Sequence, residues 1–108
     1  MSWLLLLFAG LLEVVWALAL KESQGFSRMV PVAVFVPAYL ASAVLLGLAL
    51  RDLPVGTGYA VWVGIGAVGT ALLGILLLGD SASPGRIAAI SLIAAGVIWL
   101  ALGEAGEA

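Results

Sequence analysis

Hydrophobic residues form four long runs along this 108-residue chain, and charged residues are almost confined to the intervals between them. At about 1.5 Å per residue, helices of such lengths match a bilayer hydrocarbon core of about 30 Å. The sequence therefore predicts an all-α membrane protein, a single four-helix transmembrane domain over residues 1–108 with a solvated tail. The predicted helices cover about residues 3–20, 32–50, 57–79 and 86–102, and the tail covers 103–108.

Composition restricts the chemistry that this chain can perform. Hydrophobic residues make up 65% and charged residues 9% of it, against roughly 45–50% and 25% in soluble proteins. A net charge of -2 provides no basic surface for nucleic acid. Without cysteine or histidine, the chain has no thiolate or imidazole ligand for a metal and no cysteine or histidine nucleophile. Any chemistry must rest on a few carboxylates, hydroxyls and aromatic rings, and we expect no metal or cofactor.

The loops distribute their positive charge almost evenly between the two membrane faces. Lys21, Arg28 and Arg86 lie beside the first and third loops, on one face, and Arg51 lies on the other. Positive charge favours the cytoplasmic face, so the bias amounts to two side chains at most. Two readings stay open: insertion in both orientations, which would permit an antiparallel homodimer, or one weakly favoured orientation with both termini outside.

Glu13 is the only ionisable side chain deep within a predicted span. A carboxylate near the bilayer midplane costs about 2.5–3.5 kcal/mol on insertion scales, so such a residue usually faces a cavity and has a function. Gly10 and Ala17 lie at i−3 and i+4, with Trp16 at i+3, which predicts a concavity with the carboxyl at its floor. The alternative is a protonated Glu13 that only hydrogen-bonds a neighbouring helix.

The second and third spans supply candidate walls for this site. Tyr59 and Trp62 are three residues apart on one helix face, where aromatic rings can stabilise a cation by cation–π attraction. Core packing or a position at the membrane interface would also explain them. Ser42 is the only serine or threonine of the second span, and its hydroxyl can bond its own helix or a carboxylate.

Small residues follow a regular spacing in the third span. Gly58, Gly66 and Gly74 alternate with Trp62 and Thr70 at four-residue intervals. Such residues let helices approach closely, and the paired glycines of the Gly64–Gly66 segment also form a plausible bending point. Close packing and a conformational hinge at Gly64 and Gly66 are both compatible with this pattern.

The chain resembles the small multidrug resistance family and, within it, the guanidinium-exporter subtype. The resemblance runs over essentially the whole length and is most specific where Trp16-Ala17 follows the glutamate. It implies a secondary active transporter rather than an enzyme, an antiparallel homodimer in the bacterial inner membrane that exports guanidinium in exchange for protons. It further implies that Glu13 is the shared site, that the Gly64–Gly66 segment bends, and that the site is lined by Trp16, Ser42, Tyr59 and Trp62. The matching segments are Gly10–Ala17, Gly25–Arg28, Leu53–Thr57, Tyr59–Trp62 and Gly64–Ala67.

Three functions are consistent with these features. The first is a proton-coupled guanidinium antiporter, in which a proton and the cation compete for Glu13. The second is a broader exporter of guanidinylated or quaternary ammonium cations. The third is a non-transporting assembly or pore-forming membrane protein in which Glu13 is structural.

Overall fold

A computed structural model describes residues 1–107 and contains four α-helices joined by short loops. The helices are α1 (Ser2–Glu22), α2 (Met29–Ala49), α3 (Val55–Leu78) and α4 (Pro84–Glu107). Each contains a stretch long and apolar enough to cross a membrane. The all-helical prediction is therefore confirmed, with four candidate membrane spans.

Proline and glycine set several helix boundaries. Pro54 precedes the first residue of α3 and Pro84 is the first residue of α4, positions at which a missing N–H costs little. Gly79 ends α3 with a left-handed backbone (φ 73°), which glycine adopts without steric penalty. These residues explain why the predicted bounds of α3 and the predicted start of α4 lie within two residues of the observed ones.

The predicted tail is wrong for residues 103–107, which continue α4 to Glu107. The segment contains two glycines, which disfavour a helix, but its alanine and two glutamates favour one and no proline interrupts it. Each added residue extends an existing hydrogen-bond ladder, which is easier than starting a new helix. Residue 108 lies outside the described residues.

α1 is the central helix of the chain. It packs against α2 and α3, whereas α4 packs against α3. A buried cluster of Leu6, Ala49 and Val61 joins the first three helices near the α2–α3 loop. α1 and α3 run in the same direction, because the contacts between them advance together from Gly10 with Ile65 to Val14 with Gly69. This pairing holds the middle of α1, which carries Glu13, against the middle of α3.

Candidate functional site

The Glu13 carboxyl group lies against the backbone of α3 at Gly66. A β-carbon at position 66 would overlap Cδ and Oε1 of Glu13, so glycine leaves the space that this carboxyl group fills. Oε1 is buried, and no hydrogen-bond partner contacts it in the described part of the chain. Buried polar atoms usually have a partner, which makes this oxygen available to a ligand.

Among residues 1–107, no basic side chain forms an ion pair with Glu13. The ion pairs found among the described residues join Arg28 to Glu22 at 3.9 Å and Arg86 to Asp80 at 3.6 Å. Both pairs lie at or beyond helix ends, and their side chains are well exposed. The charge of an ionised Glu13 is therefore left for a cation or a proton from outside the chain.

Trp16 faces α2 and belongs to an aromatic group that joins the two helices. Its indole ring makes edge contacts with Phe35 and Tyr39, with ring centroids 5.8 Å and 5.2 Å away. Phe35 and Tyr39 stack on each other at 5.6 Å. The indole Nε1 is buried and has no hydrogen-bond partner among residues 1–107. Trp16 thus has a fixed ring and an unused donor one turn from Glu13.

Sequence reasoning did not assign Phe35 and Tyr39 to the site. They are four residues apart on one face of α2, a spacing that brings side chains together on a helix. The pattern could have been found in the sequence. What it could not reveal is that this face of α2 turns toward Trp16 rather than toward lipid.

Ser42 bonds neither its own helix nor a carboxylate, the two hydrogen bonds that the sequence suggests. Its hydroxyl donates to the carbonyl oxygen of Ala9 in α1 at 2.6 Å and accepts the indole N–H of Trp62 at 3.0 Å. The side chain is completely buried. Ser42 therefore links α1, α2 and α3 and fixes the orientation of the Trp62 ring.

Tyr59 and Trp62 do lie together on α3, as their spacing predicts. Their ring centroids are 5.6 Å apart with the planes tilted by 51°. Tyr59 is 54% exposed in the single chain, whereas the bond to Ser42 holds Trp62. Trp62 therefore provides a fixed aromatic ring and Tyr59 an accessible one. Both lie on the same face of α3 as Gly66, and we call this face the Tyr59–Trp62–Gly66 stripe.

The glycines predicted to line the site or to bend have different neighbours. Gly10 is buried against Ile65 of α3, so it forms a helix contact rather than open space above the carboxyl group. Gly64 lies against Val97 of α4, and Gly66 lies against Glu13. α3 is a continuous helix through both glycines, and their role as a hinge stays a prediction.

Two apolar cavities open elsewhere on the single chain. One, of about 290 Å³, lies between α3, α4 and Leu11, and the other, of about 410 Å³, lies between the end of α1 and the start of α2. Neither is lined by Glu13. The candidate site is instead the face made by Glu13, the Trp16 aromatic group and the Tyr59–Trp62–Gly66 stripe.

Comparison with known proteins identifies the class to which this fold and site belong. The family described as Small Multidrug Resistance protein matches residues 1–93. Proteins named guanidinium exporter from Citrobacter freundii and Salmonella typhimurium are each 58% identical over 102 residues, covering 94% of this chain and 97% of the relative. The guanidinium exporter of Escherichia coli (strain K12) is 57% identical over the same shares. The chain belongs to the small multidrug resistance family, and it is a multi-pass membrane protein with four spans.

Proposed function

We propose that this protein exports guanidinium across the bacterial inner membrane in exchange for protons, with Glu13 as the site of both. The observation that carries the proposal is the Glu13 carboxyl group, which lies deep in a membrane span with a buried oxygen and no partner. The relatives that match nearly the whole chain are named for guanidinium export.

The shape and charge of guanidinium suit the groups around Glu13. The cation is planar and presents parallel N–H donors that match the two oxygens of a carboxylate. Aromatic faces attract such a cation, most strongly where water is excluded. The rings of Trp16 and Trp62 are held by their contacts with α2, so they limit how far the cation can tilt or shift.

Exchange follows from competition for the same carboxyl oxygens. A proton on Glu13 removes the negative charge that attracts the cation, and a bound cation blocks protonation. If the site opens to each side in turn, export of the cation is then linked to entry of protons. Coupling requires no other titratable group within the spans.

The working unit that we propose is an antiparallel homodimer. No residue of the α4 span is buried in the single chain, and Glu13 lines neither of the two cavities described above. The near balance of loop charges favours insertion in both orientations. A second, inverted copy would cover apolar helix surface and bring two Glu13 carboxyl groups together, which suggests exchange of about two protons per cation.

Transport by purified protein in proteoliposomes tests this function. We expect a pH gradient to drive guanidinium uptake against its concentration gradient in the wild type. The Glu13→Gln variant keeps a hydrogen-bonding side chain of the same size but loses the charge, so it should assemble and neither bind nor transport guanidinium. The matched control is Glu22→Gln, which removes an exposed acid at the end of the same helix and should leave transport unchanged.

Other outcomes would point to the other two functions. Equal transport of guanidinium and quaternary ammonium cations would indicate a broader exporter. Full activity of Glu13→Gln, or leakage of cations without any response to the pH gradient, would indicate a structural or pore-forming protein.

A further inference from the structure

Thr70 carries a buried hydroxyl that the proposed transport cycle does not yet use. Three buried side-chain atoms lack a hydrogen-bond partner among the described residues: Oε1 of Glu13, Nε1 of Trp16 and Oγ1 of Thr70. Most buried polar groups in proteins are paired, so each exception calls for an explanation. The first two belong to the candidate site, which raises the question of where the third lies.

Thr70 continues the stripe of α3 that faces Glu13. Tyr59, Trp62, Gly66 and Thr70 follow one another at spacings of three, four and four residues, which places them on one helix face. Gly66 lies against the Glu13 carboxyl group. Thr70 is one turn further along, about 6 Å by the rise of an α-helix.

Trp16 lies on the same side of Glu13 as Thr70 does. Because α1 and α3 run in the same direction, moving from Glu13 to Trp16 on α1 parallels moving from Gly66 to Thr70 on α3. The three unpaired atoms therefore belong to residues at similar levels along the two parallel helices α1 and α3. A carboxylate, an indole N–H and a hydroxyl form a mixed set of acceptors and donors.

Hydrogen-bond capacity distinguishes the hydroxyl from its neighbours. A guanidinium ion bound to a carboxylate uses two N–H groups there and needs acceptors for the remainder. The indole of Trp16 is only a donor. The Ser42 hydroxyl already donates to Ala9 and accepts from Trp62. Thr70 has the unused buried acceptor on this stripe.

We propose that Thr70 is a specificity-determining residue whose hydroxyl accepts an N–H of the guanidinium held by Glu13, directly or through one water. This inference rests on the proposed function and extends it. A water bridge serves nearly as well as a direct bond. The hydroxyl oxygen can accept a hydrogen bond from a cation that carries N–H groups, whereas a quaternary ammonium ion has no N–H to donate. The hydroxyl would therefore select between cations of equal charge by hydrogen bonding.

Equilibrium binding to the purified protein in detergent tests this role. Thr70→Val removes the hydroxyl and keeps the shape, and Thr70→Ser keeps the hydroxyl. We expect Thr70→Val to weaken guanidinium binding about tenfold, as for one hydrogen bond to a charged group, and Thr70→Ser to bind within about twofold of wild type. Competition by tetramethylammonium should be the same in all three proteins.

Ser91→Ala is the matched control, because Ser91 is an exposed hydroxyl on α4. It should bind guanidinium as the wild type does. Three results would overturn the role of Thr70: wild-type affinity in Thr70→Val, equal weakening of guanidinium and tetramethylammonium, or a Thr70→Ser variant as weak as Thr70→Val. The first would assign the hydroxyl to its own helix backbone, and the other two would assign Thr70 to packing.

Wild-type transport separates this inference from the proposed function. If wild type and Ser91→Ala exchange guanidinium for protons while Thr70→Val binds normally, only the role of Thr70 fails. If the wild type neither binds nor exchanges guanidinium, the proposed function fails. The role of Thr70 then fails as well, because guanidinium is not the transported cation.

Discussion

Gly66 determines where the Glu13 carboxyl group can sit, and its effect can be tested by adding one carbon. A β-carbon at position 66 would overlap the carboxyl group. We predict that Gly66→Ala displaces the side chain of Glu13 and weakens guanidinium binding at least tenfold, a loss of about 1.4 kcal/mol, while the protein still folds. Calorimetric binding in detergent, together with the thermal unfolding midpoint, measures both effects.

Gly47→Ala provides the comparison for this change. Gly47 lies within α2, and a β-carbon there has no atom within 4 Å in the single chain. Alanine favours a helix over glycine by about 1 kcal/mol, so both variants gain the same backbone preference. Normal binding by Gly66→Ala would show that the carboxyl group does not depend on this contact.

The residues of the site differ in how far the sequence could reveal them. Glu13 stands out because a charge in an apolar run is costly and therefore informative. Trp16 follows from its spacing of three residues from Glu13, and the pair Tyr59 and Trp62 follows from its own three-residue spacing on the third span. The bond from Ser42 to Ala9 could not be predicted, because the acceptor is a main-chain carbonyl on another helix, and every residue carries one. Helix register decides which carbonyl is reached.

Among the helices, α3 makes two different close approaches with glycines two residues apart. Gly66 lies against the side chain of Glu13 on α1, and Gly64 lies against the side chain of Val97 on α4. The sequence also predicts a bending point in this short segment. Packing and bending can be separated experimentally, because the packing contact of Gly64 has a partner that can be made smaller.

We predict that Gly64→Ala destabilises the packing of α4 on α3 and that Val97→Ala restores it. The added β-carbon would overlap Cγ2 of Val97, and overpacking of this kind costs about 1–3 kcal/mol. Removing the valine methyl groups should recover most of the loss in thermal stability. The measurement is a double-mutant cycle on the unfolding midpoint, followed by transport of each variant.

A hinge at Gly64 predicts a different pattern in the same cycle. Alanine would then restrict bending whatever residue occupies position 97. The double variant would regain thermal stability but not transport rate. Recovery of both would assign Gly64 to packing.

The four helices themselves were largely predictable, and the errors lie at their ends. Apolar runs between charged or proline- and glycine-containing loops predict the first three helices to within a few residues. The sequence predicts a frayed, solvated end after residue 102, because two glycines and two acids follow, whereas α4 continues to Glu107. Hydrophobicity marks where a helix meets the membrane, not where its hydrogen-bond ladder stops.

For the whole molecule, the positions of the charged loop residues and the exposed surface of α4 bear on whether the chain inserts into the membrane in one orientation or in both. Lys21, Arg28 and Arg86 are at the end of the bundle that holds the first and third loops, and Arg51 is at the other end. No residue of the α4 span is fully buried in the single chain. A second copy in the opposite orientation would satisfy both features, and it requires that the two orientations coexist in one membrane.

We predict that a cysteine at Ser81 reacts with a membrane-impermeant maleimide from both faces of the membrane, with roughly half of the molecules labelled from each. Ser81 is exposed in the third loop, and the natural chain has no cysteine. Ser27 in the first loop is a second exposed site, whereas the neighbouring Ser23 is fully buried and unsuitable. Labelling of intact cells before and after permeabilisation gives the two fractions.

Adding Ser27→Arg to the Ser81 cysteine variant tests whether charge is the cause of the mixed orientation. One more positive residue on that side should place the first and third loops in the cytoplasm and nearly abolish labelling from outside. If an antiparallel pair is the working unit, guanidinium transport should fall with the loss of the minority orientation. Full transport by a protein labelled from one face only would contradict the antiparallel dimer and leave Glu13 to act within chains of a single orientation.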